Sequence, residues 1–431
     1  MTSLALALAL AFQSVPAPIE RDFTVPAAGE VVATITASCR PCDWRVEGGE
    51  AALLEIRVDG QYSQHLALMH GPSRTAYSVL LGPLTAGTHR LWMAHDAKRS
   101  ASKAGPAVVH GVQFRTFSEG TPDYAVLSRA PILRARPGTV EKFSDFPLVM
   151  YAEQNVNGES GSHYSLQYTV IFTNEDGGTP TDRLMATWGR TTDIEFIYGL
   201  TDPGGREEIQ AEGHKWIAFN GPRVGGHPVL WVSTLNNMVA DHGPDDAVRF
   251  TFVPQLVSLA GTSREKVMDE NPWMYAVTSA EMVREHRVDS DAKPGSGTIV
   301  DPRRYVTLEA CGTVKDATLA FDIGVRRGSE VTWLPTDTDP KFRIARGGCF
   351  RGGAPMPAGV SGKDVAGLRI RAYNRAAREG EASAPTGAVT LTAVTKVFML
   401  NQDFVPTALP IAWTGSLPVP TTGGPVTIPV R

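Results

Sequence analysis

The stretch LEIRVDG, residues 54–60, decides the architecture. Leu54, Ile56 and Val58 alternate with Glu55, Arg57 and Asp59, the period of a strand with one buried face, and Asp59-Gly60 is a dipeptide suited to a two-residue hairpin turn. Farther along, LGPLTAGTHRLWM at 81–93 puts turn residues ahead of the alternating Leu91 and Met93. Together these segments predict a jelly-roll-like N-terminal β-sandwich over 22–116. The 42 glycines and 31 prolines keep most uninterrupted runs short, which favours strands over long helices throughout the 431 residues.

Beyond this module, 117–145 carries Gly120, Pro122, Pro131, Pro137 and Gly138 and reads as a linker. Residues 146–400 read as a larger central and C-terminal β-sandwich with one or two short helices, so the expected fold class is mostly β. Strands are predicted at 164–174, 183–188, 193–200 and 228–235, with a turn at 175–178. A helix is predicted over 263–269, and Thr278-Ser-Ala-Glu281 resembles a capping box that opens a second one, with Asn271-Pro272 breaking the passage. Leu368, Ile370 and Ala372 alternate again. The Pro-, Gly- and Thr-rich tail, 401–431, is expected to wrap as an extended segment without a core of its own.

The first residues include LALALALAF at 4–12, an apolar run of the length of a secretory signal core, with Val15 and Ala17 as small residues near a cleavage point. A signal peptide over 1–20 and a secreted or periplasmic location are therefore expected. An oxidising compartment suits structural disulfides, Cys39 with Cys42 and Cys311 with Cys349, although four cysteines allow three pairings. If the second pair forms, Glu309 and Arg346 are brought near enough for a salt bridge. The net charge of −4 and the scattered Lys and Arg offer no basic field for nucleic acid. No later segment approaches the roughly 18 apolar residues of a membrane-spanning helix.

The sharp catalytic motifs are absent: there is no G-x-S-x-G elbow, no H-E-x-x-H and no Walker loop. The strongest chemical signal is Asp193-Ile194-Glu195 on a predicted strand. Alternation puts both carboxylates on one face and turns Ile194 and Phe196 away. Two adjacent carboxylates repel unless a cation, an arginine or a shared proton relieves them, so something positive is expected nearby, with Arg190 and His227 as candidates. Asn236, Asn237, Asp241 and His242 follow a neighbouring strand, His163 precedes another, and Trp188, Trp216, Trp231 and Trp273 concentrate in the central region. Oxygen-rich ligation suits calcium or magnesium, and indole faces suit sugar rings.

RTTDIEFI at 190–197, followed some thirty residues later by HPVLWVS at 227–233, resembles the core of the vacuolar-protein-sorting-like domain family and, more distantly, the necrosis- and ethylene-inducing-peptide-like proteins. That resemblance implies a β-sandwich whose paired acids hold a divalent cation at a membrane-glycolipid site. It carries over Asp193, Glu195 and His227 as ligands. Ile194 stands where those families have an aromatic residue, and Thr191 and Thr192 where the second has a histidine.

Three functions are compatible with this reading. The first is an exported protein binding a glycan or glycolipid head group through a cation-supported site, with metal ligands Asp193, Glu195 and His227 and ligand contacts from His163, Trp188, Arg190, Trp231, Asn236 and Asn237. The second is a glycan hydrolase in which Asp193, Glu195 and Asp241 divide acid and base roles. The third is a structural or adhesive surface protein with no active site.

Overall fold

The computed structural model describes residues 17–157, 162–175, 177–202, 205–378, 381 and 383–429, and most of the expected signal segment lies outside them. Strands dominate, paired almost entirely antiparallel, with a few short helices, so the chain is a mostly β protein.

The N-terminal sandwich packs a four-stranded sheet, Ile19–Val25, Gly87–His95, Leu53–Val58 and Gln61–Ala67, on a three-stranded sheet, Thr75–Leu84, Gly29–Cys39 and Ala107–Phe117. Its first strand begins at Ile19, ahead of residue 22. Leu54, Ile56, Leu91 and Met93 fill the core with Ile35, as alternation requires. Asp59 and Gly60 both take positive φ, 49° and 79°, between the paired strands Leu53–Val58 and Gln61–Ala67, which is the hairpin geometry the dipeptide suggests.

Residues 117–145 are not a linker. Pro122–Leu127 is a helix with Pro at its start, and Ile132–Arg134 is a strand between His227–Val232 and Arg249–Phe250. Val126, Leu127, Leu133, Val140 and Phe143 are buried. The prolines and glycines punctuate short apolar elements here, and burial of those elements outweighs the breaker signal.

The central unit has a six-stranded sheet in the order Lys215–Ala218, Glu207–Ala211, Asp193–Thr201, His163–Phe172, Pro147–Asn157 and Gln255–Leu256. A smaller mixed sheet contains His227–Val232 and Ile132–Arg134. Met150, Tyr168, Val170, Tyr198 and Leu230 pack in one core, and a second core joins Phe143, Phe146, Ile171 and Ile194 to the helices Lys266–Glu270 and Trp273–Arg284. Asn271-Pro272 separates those helices as expected, but Thr278 to Glu281 lie inside the second one, because the helix starts directly after Pro272.

The passage read as a strand at 183–188 is the helix Thr181–Trp188. Six residues without strict alternation, Leu184, Met185 and Ala186 being consecutive apolar positions, fit either period, and the deciding signals are the stops: Pro180 before it and Gly189 after it, the latter at φ 62° with its N–H bonded to the Met185 carbonyl. A side chain at Gly189 would place Cβ 2.7 Å from Thr307 Cγ2, so both conformation and space require glycine.

From Tyr305 onward a separate sandwich forms around Leu308, Phe321, Ile323, Phe350, Leu368 and Ile370. The tail belongs to it: Trp413–Val419 pairs with Ala388–Leu400, Val426–Ile428 pairs with Val365–Asn374, and Val419 and Ile428 are buried in its core. The disulfides are Cys39–Cys42 and Cys311–Cys349, the latter joining direct cross-strand partners. Glu309 pairs with its own cross-strand neighbour Arg351 at 3.0 Å instead of with Arg346.

Candidate functional site

The register of two strands assembles the site. Phe172 is opposite Asp193, so the chain that leaves the first strand delivers Asn174 and Glu175 to the end where Asp193 begins the second. The loop after His227–Val232 then closes over this end. Asn237, at φ 53° and wholly buried, donates from Nδ2 to the Asn174 carbonyl at 3.1 Å and to Asp193 Oδ2 at 3.0 Å. Glu175 Oε1 accepts from the Thr179 backbone N–H at 2.8 Å. Gly178 allows that turn, since a Cβ there would come within 1.9 Å of the same oxygen.

Asp193, Glu195 and Glu175 line a cleft of about 1370 Å³. Glu153, Asn155 and Asn157 enter it along the strand Pro147–Asn157, Gln167 and Gln210 from neighbouring strands, and Asn236 from the loop. Trp188 and Trp216 supply indole faces, with Trp216 4.2 Å from the Phe196 ring. Arg346 reaches in from the C-terminal sandwich and lies over Trp188 at 4.8 Å. Ile194 and Phe196, expected to turn away, also line the cleft, although 193–196 pair in unbroken register and the bulge falls only beyond Phe196.

All three acids have raised pKa values. Burial, and then the charge of Asp193, push Glu195 well above the carboxylate range. Glu195 therefore donates a hydrogen bond to Asp193, whose own pKa is raised by burial against the pull of Arg190. Burial and Asp193 push Glu175 up to about 7. Burial also raises Glu153. Arg190 does not neutralise the group, because its Nε is committed to Glu265 at 2.9 Å and its Nη1 to the Thr192 carbonyl. Despite its burial, Glu265 is held down to about 2 by Arg190 and Arg351.

Among the described residues two further oxygens here have no hydrogen-bond partner: Asn236 Oδ1 and the buried Asn237 Oδ1. An unpartnered buried amide oxygen costs about 1–3 kcal/mol. Carboxylates and amide oxygens are the donors that calcium and magnesium take, but among the described residues the acids and histidines whose ligand atoms already lie within 4.8 Å of one another are Glu55, His65 and Asp96 in the N-terminal sandwich, so Glu175, Asp193 and Glu195 would have to draw together to share an ion.

Several candidates lie elsewhere. His227 is buried at the seam with the N-terminal sandwich, Nδ1 2.8 Å from the Ala130 carbonyl and Nε2 3.2 Å from Glu30 Oε2, so both ring nitrogens are occupied away from the acids. Trp231 is buried and donates to the Pro244 carbonyl. Asp241 bonds His242 and the Asn220 N–H outside the cleft, where the His242 bond lowers its pKa. His163 reaches the cleft only through Asn157, 3.2 Å away. Trp188, Arg190 and Asn236 do line the cleft, and Asn237 backs it. Sequence reasoning placed the acidic turn at Glu175 and the indole of Trp216 in this neighbourhood but kept both out of the ligand set, and it omitted Glu153, Arg264 and Arg346 from the neighbourhood altogether. The polar alternation of Glu153, Asn155 and Asn157 was a usable signal, whereas Arg264 and Arg346 are distant in sequence and gave none.

No family model matches the chain, and no curated protein matches it either. Among solved structures, the EclA C-terminal domain, a sugar-binding protein, is similar at 18% identity over 22% of this chain and 65% of that one, with a TM-score of 0.17. A ruminal GH26 endo-beta-1,4-mannanase gives 14% identity over 28% and 26%, TM-score 0.19. A lectin from Pleurotus ostreatus in complex with GalNAc gives 11% over 90% and 80%, TM-score 0.13. This chain spans less than two thirds of either of the first two. Likenesses at these TM-scores carry no argument about fold or function.

Proposed function

We propose that this is an exported protein that binds a glycan or glycolipid head group in the central cleft through a divalent cation held by Asp193, Glu195 and Glu175. The carrying observation is the donor set: three carboxyls with raised pKa values, Glu175 and Glu195 each raised in part by Asp193, beside two amide oxygens without partners among the described residues. Two carboxylates about 4 Å apart at an effective dielectric near 20 repel by about 4 kcal/mol, and a bound dication reverses that sign. Calcium or magnesium would supply charge and open coordination positions for hydroxyl oxygens. Around it, Gln154, Asn155, Asn157, Gln167, Gln210 and Asn236 offer side chains that both donate and accept, as sugar hydroxyls do, while Trp188 and Trp216 offer stacking faces.

Calorimetric titration of chelator-treated protein with calcium, magnesium, manganese and zinc tests this, beside the Asp193→Asn, Glu195→Gln double variant. The proposal expects saturable binding of calcium or magnesium that the variant loses, followed by glycan binding only with that ion present. Glycan binding that ignores chelator would overturn the role of the cation.

One observation favours a second reading. Glu175, pushed up to about 7, is poised near neutrality as a general acid or base is, beside the Asp193–Glu195 pair, which suits glycan hydrolysis. Release of reducing ends from a glycan library, abolished in Glu175→Gln with binding retained, is the result that this reading requires.

A further inference from the structure

A second unbalanced site lies at the seam between the N-terminal sandwich and the smaller central sheet. Arg134 and Arg249 are direct partners in the antiparallel pairing of Ile132–Arg134 with Arg249–Phe250. Like charges directly opposite each other destabilise a sheet. Among the described residues neither arginine forms an ion pair, and the groups that act on Arg249 are its burial and Arg134, which lower its pKa, and Tyr62. Both Nε atoms are buried and have no hydrogen-bond partner.

The surroundings hold the two guanidinium groups in place without discharging them. Arg134 donates from Nη1 to the carbonyls of Asp245 and Ala247 and lies over the Trp231 ring at 5.4 Å. Arg249 lies over the Tyr62 ring at 5.8 Å, its backbone N–H donates to the Tyr62 hydroxyl at 3.2 Å and its Nη1 to the Tyr62 carbonyl at 3.5 Å, which leaves Nη2 and Nε without a partner among the described residues. Tyr62 comes from the N-terminal sandwich, so the pair is set by the docking of two units. Both arginines remain partly exposed. Two fixed guanidinium forks with donors to spare match the oxygens of a sulfate or phosphate group.

We infer that this seam binds an oxyanion of sulfate or phosphate type, with Arg134 and Arg249 as its ligands. The group could arrive as the inorganic ion or as an ester on a glycan, and the chemistry of recognition is the same. The test is thermal unfolding and calorimetry of the full chain with sodium sulfate and sodium phosphate, against sodium chloride at equal ionic strength. A sulfated oligosaccharide is run beside its unsulfated parent.

The expected result is a saturable rise in Tm with sulfate or phosphate that chloride does not give, lost in Arg249→Gln and weakened at least tenfold in Arg134→Gln. Arg249→Lys keeps the charge and loses the fork; it should bind more weakly while folding as the parent does, which separates ligand loss from misfolding. Tighter binding of the sulfated oligosaccharide than of the free ion assigns the ester as the source, and equal or weaker binding assigns the ion. Equal Tm in sulfate and chloride, or saturable binding retained in Arg249→Gln, overturns the inference. Because the Asp193, Glu195 double variant leaves this seam intact, its anion response should survive when cation binding is lost.

Discussion

Glu281 is the most deeply buried acid on the helix Trp273–Arg284, at 0% exposure. Burial, and then the charge of Glu285 one turn on, push its pKa well above the usual carboxylate value of 4.5. A group that is a weaker acid in the folded than in the unfolded chain stabilises the fold below the unfolded pKa, and that contribution falls as pH rises toward the folded pKa. The contribution of Glu281, Glu195 and Glu175 to stability should therefore decline from pH 5 to pH 8.5, against the opposite contribution of His65, His70 and His95, whose pKa values burial lowers. Glu281→Gln removes one such buried acid outside the cleft, and urea unfolding at the two pH values should show a smaller decline in the variant. An identical decline in both proteins would contradict this account of Glu281.

At the scale of elements, the helix Thr181–Trp188 is fixed by its terminating glycine. Gly189→Ala forces an L-residue into left-handed backbone and drives a methyl toward Thr307, at a cost of about 1–2 kcal/mol before any clash is counted. The variant should lower Tm and disturb the cleft, since Trp188 and Arg190 flank the substituted position; an unchanged Tm would contradict the role given to this stop. The same element shows what sequence pattern could and could not convey. Strand alternation was legible where it is strict and runs into a turn dipeptide, as at Leu54 to Val58 before Asp59-Gly60. It was ambiguous over six residues at 183–188, where the punctuation of Pro180 and Gly189 carried the information. The interval 117–145 misled for the converse reason: its prolines and glycines are real breakers, but Leu133, Val140 and Phe143 between them are core residues. In the site, Asp193 and Glu195 were legible because two acids on a short strand call for compensation. Glu175 is brought to Asp193 by strand register, and Arg346 by docking of another sandwich, neither of which local spacing encodes.

Across the whole molecule, the N-terminal sandwich, the central unit and the C-terminal sandwich are joined by buried polar seams. Between the central unit and the C-terminal sandwich, Arg351 is fully buried and binds Glu309 at 3.0 Å, Asp269, and the Tyr275 hydroxyl at 3.0 Å, with Lys396 also on Asp269. On the N-terminal side, Arg284 meets Glu50 at 3.0 Å and His227 meets Glu30. Removing one partner of such a network strands the others, so Arg351→Leu should cost about 3–5 kcal/mol and lower Tm accordingly. A Tm within a degree of the parent would show that the seam contributes little. Because Arg346 enters the cleft from the C-terminal sandwich, loosening this seam should also weaken glycan binding. The central claim concerns the protonated acids in that cleft. A cation entering among Asp193, Glu195 and Glu175 must displace the proton that Glu195 holds. The most direct measurement is proton release on adding calcium or magnesium to chelator-treated protein in weakly buffered solution at pH 6. The account predicts release of about one proton or more per bound ion, and affinity that rises with pH, both absent in the Asp193→Asn, Glu195→Gln variant. Ion binding without proton release, or release that persists in the variant, would contradict it.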